Sequence, residues 1–159
     1  MSTAYSVNPN ARTGSLQFTT FYLGEYLFGI DVTQVQEVTG HLTLVPVPLA
    51  PKFVRGLINL RGQIATALGL RELFNTGAAG EAQGMLVVCR IDGNLVSLIV
   101  DSIGDVVAVE SRLFEQTPDT IPVNLKKYVK GIYKLNDALL SVVDLEAIAK
   151  ELTPANEAA

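Results

Sequence analysis

The chain has 159 residues, of which 48% are apolar, and a formal net charge of −4. That length predicts one domain with a core large enough to need no disulfide staple, which excludes a disordered chain. The net negative charge argues against a protein built to track nucleic-acid phosphates, and the single cysteine, Cys89, excludes an internal disulfide and fits a reducing cytoplasm.

Residues 1–15 mix Ser, Asn, Thr and Arg12 with no apolar block, so they read as a flexible tail without a secretory signal. Strand signals then dominate. Leu16 to Leu23 and Tyr26 to Ile30 flank Gly24-Glu25, a hairpin. Val32, Val35 and Val38 recur at spacing three after Asp31, which predicts a capped helix of one or two turns. Leu57 to Leu60 and Gln63 to Leu68 flank Arg61-Gly62, a second hairpin, and Leu70 to Phe74 reads as a short helix. Residues 75–84 form the expected internal linker.

Met85 to Ile91 and Leu95 to Val100 flank Asp92-Gly93-Asn94, a strong hairpin signal. The most apolar stretch, Leu95 to Val109, is broken by Asp101 and Asp105 and falls short of the roughly 20 residues that a membrane helix needs. Tyr128 to Leu135 and Ala138 to Val143 flank Asn136-Asp137, a fourth hairpin. Asp144 is placed to cap a helix from Leu145 to Leu152, which Thr153-Pro154 ends. The expected organisation is a single domain over 16–152 followed by a short tail, 153–159.

The two halves repeat. Phe53-Val54-Arg55-Gly56-Leu57 returns 75 residues later as Tyr128-Val129-Lys130-Gly131-Ile132, and the register carries Leu60 to Leu135, Ile64 to Leu139 and Leu73 to Ile148 without a gap. Proline-bearing segments precede both glycine motifs. A twofold repetition of short strands predicts two small β-barrels related by a pseudo-twofold axis.

Residues for chemistry are sparse. The one histidine, His41, lies beside Gly40 with no cysteine near it, and reads as a solvated loop residue. No nucleophile elbow, phosphate loop or Cys/His zinc spacing is found, so the sequence calls for no enzyme, cofactor or metal. Cys89 alternates with Met85, Val87 and Ile91 and reads as core. Asp101 and Asp105 read as caps or solvent-facing turn residues and not as an acid–base pair. Lys126, Lys127, Lys130 and Lys134 read as a solvated edge, lacking the interleaved aromatics of a nucleic-acid groove. A small-ligand or oligonucleotide-binding barrel is the alternative class, and would need a convergent polar pocket or an aromatic–basic face.

From about Leu16 to Leu152 the motifs together resemble the CheW family of chemotaxis coupling proteins. Phe28-Gly29-Ile30-Asp31 with Val35-Gln36-Glu37-Val38 is similar to the family's first signature, and Gly56-Leu57-Ile58-Asn59-Leu60-Arg61-Gly62 to its most diagnostic one. Val100-Asp101, Val106-Val107, Gly131 and Val143-Asp144-Leu145 are similar to its second-half pattern. The resemblance implies an all-β fold with short helices, built as two interlocked five-stranded SH3-like barrels with a cleft between them for a helical hairpin. It implies a non-enzymatic cytoplasmic adaptor that joins the tip of a chemoreceptor to the related regulatory domain of the CheA histidine kinase. Such repeated faces can self-associate in rings. No direct membrane insertion is expected, and the plan leaves no residues for a receiver domain or a kinase core. It also implies a receptor-binding site at Val35, Glu37, Gly56 and Arg61, supported by the turn residues Asn59, Leu60 and Gly62, with Arg61 paired to Glu37. The chain departs from the family where a proline and an aspartate cap usually follow the Arg-Gly turn. Here the strand runs Ala65-Thr66-Ala67-Leu68-Gly69, which predicts a looser entry to the helix at Leu70.

Overall fold

Because the apolar positions alternate along short runs punctuated by turn residues, the chain pairs strands and makes little helix. The computed structural model describes residues 15–40, 42–76 and 84–152. In chain order it forms β1 (Ser15–Leu23), β2 (Tyr26–Asp31), β3 (Val35–Thr39), β4 (Val54–Leu60), β5 (Gln63–Gly69), α1 (Leu70–Phe74), β6 (Met85–Ile91) and β7 (Asn94–Val100). There follow β8 (Ser102–Glu110), α2 (Val123–Lys126), β9 (Val129–Lys134), β10 (Leu139–Val143) and α3 (Leu145–Lys150). His41, both tails apart from Ser15, and 77–83 of the expected linker lie outside the described residues.

All four hairpins form where the turn signals stand. One expectation is overturned: the valine triplet after Asp31 is a single 3-10 turn (Val32–Gln34) running into strand β3, not a helix. A spacing of three fits a 3-10 turn as well as an α-helix, and β-branched Val35 and Val38 favour extended backbone once they can pair with β6. In a strand Val35 and Val38 fall on opposite faces, so that Val35 is half-buried while Val38 is exposed. α2, after Pro122, has no counterpart among the predicted helices.

The strands make two five-stranded sheets. One has the order β8-β1-β2-β10-β9 and the other β3-β6-β7-β5-β4. The second is continuous in sequence and is inserted between β2 and β8, so we call the two the inserted barrel and the terminal barrel. Each is closed by the proline-bearing segment ahead of its glycine motif. Val45 and Leu57 exchange two backbone bonds (2.9 and 2.8 Å), as do Glu115 and Ile132 (2.9 and 2.8 Å). These bridges join the chain beyond β3 to β4, and beyond β8 to β9, so the edges that an open sheet would leave are sealed.

The repeat thus holds down to single bonds. Leu57 and Ile132 are 75 apart, and the same offset relates Gly69 N–H to Phe53 carbonyl (2.8 Å) with Asp144 N–H to Tyr128 carbonyl (2.8 Å). Against expectation, the missing aspartate does not loosen the entry to α1. Its backbone anchor equals that of α3, and only the side-chain cap is lost. The space beside Gly69 is taken by the Glu72 carboxylate, which also pairs with Arg55 at 3.2 Å.

Three apolar cores result. A shared core joins Phe21, Phe28 and Ile30 of the terminal barrel to Leu68, Val87 and Leu98 of the inserted one. The terminal barrel encloses Phe18, Val107, Tyr133, Leu140 and Val142. The inserted barrel encloses Ile58, Ala65, Ala67, Leu86 and Val88. Since β6 and β7 are covered on both faces, their sequences are apolar almost throughout.

Candidate functional site

The β4–β5 turn supplies the centre of the site. Arg61 (φ 53°) and Gly62 (φ 89°) both adopt left-handed backbone, the geometry that matches the twist of a two-residue hairpin. Asn59 holds the turn by accepting the Gly62 N–H at its side-chain oxygen (2.9 Å). Leu60 faces the interior of the inserted barrel and anchors the hairpin there. The Arg61 side chain is left 75% exposed, and one guanidinium nitrogen donates to a Glu37 carboxylate oxygen. Glu37 itself is only 19% exposed and sits on strand β3, not on the helical turn expected for it.

This ion pair has a topological meaning. β3 and β4 are opposite ends of the inserted sheet, so the pair joins its two edges across the closed barrel, parallel to the Val45–Leu57 bridge. The remaining predicted positions are placed differently. Val35, two residues from Glu37, is half-buried against the shared core. Gly56 lies at the far end of β4, roughly 17 Å from Arg61 at about 3.3 Å per residue. It is buried, and a Cβ there would stand 2.7 Å from the Val45 carbonyl, so Gly56 lets the bridge close. The structure brings Glu37 and Arg61 together and gives Gly56 a supporting place.

Sequence reasoning missed two polar assemblies. Arg90 on β6 donates to the Gln36 side-chain oxygen from Nε and Nη2 (3.2 and 2.9 Å), to Gln63 (3.3 Å) and to the Gly93 carbonyl (3.0 Å). Its signal was a lone arginine in an otherwise apolar strand. The other is Arg71 on α1, whose Nε donates to Asp101 at 2.9 Å and whose Nη2 reaches the second carboxylate oxygen. Asp101 is therefore an ion-pair acceptor and not a cap or a free turn residue. The hydrogen bond from Arg71 holds its pKa below the usual carboxylate range, outweighing partial burial.

Other readings of the sequence meet the structure directly. Cys89 is buried in the shared core, and burial pushes its thiol pKa up to about 12, so it packs as an apolar residue. Lys126, Lys127 and Lys134 pair with Asp119, Glu151 and Glu115 at 3.0, 2.8 and 3.5 Å, which neutralises most of the basic cluster. Among the described residues no group of three or more His, Cys, Asp or Glu is gathered to hold a metal ion, and no helix is long and apolar enough to cross a membrane.

Comparisons with known proteins agree with this geometry. The family model of the CheW-like domain matches residues 17–153. The chemotaxis protein CheW of Treponema pallidum is 31% identical over 143 residues, spanning 86% of this chain and 84% of that protein. CheW of Klebsiella aerogenes is 28% identical over 138 residues, spanning 86% and 83%. The crystal structure of the scaffolding protein TtCheW from Thermoanaerobacter tengcongensis is similar with a TM-score of 0.73 at 30% identity, covering 80% of this chain and 88% of that one. With two five-stranded barrels, the Arg-Gly turn in place and the match running almost end to end, the chain belongs to the CheW family of chemotaxis adaptors.

Proposed function

We propose that this chain is a cytoplasmic adaptor without catalysis of its own, joining the cytoplasmic tip of a chemoreceptor to the regulatory domain of a CheA-type kinase. The observation that carries the reading is the family match across residues 17–153. The receptor tip docks on the inserted barrel at the Glu37–Arg61 pair, with Val35 beside it and Gly56, Asn59, Leu60 and Gly62 holding the backbone. An exposed guanidinium on a rigid turn suits that task, because little side-chain and backbone freedom is lost when a partner binds. The paired lysines and the buried thiol offer nothing to the alternative of an oligonucleotide-binding barrel.

Several modest contacts, repeated in a lattice, give a stable assembly. Mixing the purified chain with receptor and kinase fragments is expected to give rings or arrays in the electron microscope. Incubation with ATP alone is expected to give neither hydrolysis nor self-phosphorylation. Only dispersed binary complexes, or a turnover that survives repurification, would count against the adaptor.

A further inference from the structure

Among the described residues, the chain passes between the two sheets twice: from β2 to β3 through the Val32–Gln34 turn, and from β7 to β8 through Asp101 alone. The repeat makes these crossings equivalent, and an aspartate stands at each. They behave differently. Asp31 acts locally, accepting the Thr33 N–H (2.9 Å) and hydroxyl (2.7 Å). Asp101 reaches in two directions. It accepts from Arg71 of α1, which follows the inserted barrel's β5, and from the N–H of Gly24 in the β1–β2 turn of the terminal barrel at 2.7 Å. Its own N–H donates to the Tyr22 carbonyl at 3.0 Å. At the place equivalent to Arg71, 75 residues on, stands Glu146, which cannot pair with an aspartate in the same way.

We propose that Asp101, Arg71 and the Gly24 amide form a latch that sets the terminal barrel against the inserted one. Cohesion comes from the shared apolar core, so the latch governs setting and not folding. A two-pronged guanidinium–carboxylate contact fixes orientation as well as distance, which a setting device needs. Its side chains are 22% and 34% exposed, so it can open into water without stranding a buried charge. A further consequence rests on the adaptor reading: partners held on different barrels are coupled through this contact.

The test compares Asp101→Ala, Arg71→Gln and the double variant by amide hydrogen exchange and by reconstituted signalling. Exchange at Gly24 is expected to be about tenfold faster in Asp101→Ala, equivalent to about 1.4 kcal/mol of local protection, and no faster in the double variant. Both single variants should keep receptor and kinase binding within about twofold while receptor-dependent kinase activation falls about fivefold or more. Unchanged Gly24 exchange in Asp101→Ala, effects that simply multiply in the double variant, or global unfolding of Asp101→Ala would each overturn the latch. Faster Gly24 exchange in a protein whose unmodified form binds neither receptor nor kinase would support the latch and overturn the adaptor reading.

Discussion

Arg61 shows how exposure decides what a charge pair does. With its side chain 75% open to solvent, the bridge to Glu37 is worth only about 0–1 kcal/mol of stability. Its geometry matters more than its energy. Arg61→Glu and Glu37→Arg are each expected to weaken receptor binding about tenfold or more while shifting the unfolding free energy by about 1 kcal/mol or less. The double reversal should recover part of the binding, which a double-mutant cycle on receptor affinity measures. Asp101 yields a prediction of a different kind. Its folded-state pKa is depressed by Arg71, so the stability it contributes is present above the unfolded carboxylate pKa, about 4, and is lost as pH falls through the lower folded value. The stability gap between the unmodified protein and Asp101→Ala should therefore be constant near neutrality and close in acid. Denaturant titrations from pH 7 to 2 check this, and a gap that persists at the lowest pH would contradict it.

At the scale of elements, the two seams explain why a glycine recurs in each half. A Cβ on Gly56, whose φ is 149°, meets the Val45 carbonyl, and one on Gly131 meets the Glu115 carbonyl at 2.5 Å as well as the Phe114 ring. Backbone oxygens cannot swing aside as a side chain can. Gly56→Ala and Gly131→Ala are each expected to cost about 2–3 kcal/mol, read as a shift in denaturant midpoint. The helix entries form a second matched pair. α3 has Asp144 accepting from the Ala147 N–H at 3.1 Å, whereas α1 has Gly69 with Glu72 folded into the space beside it. Gly69→Asp alone should therefore destabilise by about 1 kcal/mol, and adding Glu72→Ala should restore or improve stability by recreating the α3 arrangement. Thermal unfolding of the three variants tests the compensation. Much of this level was legible: turn residues gave all four hairpins, and the offset of 75 gave the two barrels. β3 was misread because a spacing of three is shared by two kinds of turn. The Arg71–Asp101 contact was invisible because its partners are 30 residues apart and no local pattern links α1 to the β7–β8 crossing. The Glu37–Arg61 pair was legible only through the resemblance, since the sequence alone gives two charges 24 residues apart.

For the molecule as a whole, the repeat and the sheets divide the chain in different places. The sequence halves meet between α1 and β6, but each sheet draws strands from both halves, so that neither half can complete a barrel alone. The parallel pairs β2–β10 and β5–β7 stitch them together. The order of synthesis follows from this. All strands of the inserted barrel have left the ribosome once Val100 has emerged, whereas β1 and β2, made first, must wait for β8 to β10 before their sheet can close. Pairings this distant along the chain carry the largest loop-closure cost and form late. Nascent chains arrested once Val100 has cleared the ribosome exit should thus already protect the amides of Leu86 and Val88 in the inserted barrel's own core, while Cys89, on the shared-core face, stays open to thiol reagents, and Phe18 and Phe21 to chaperones, until the last hairpin arrives.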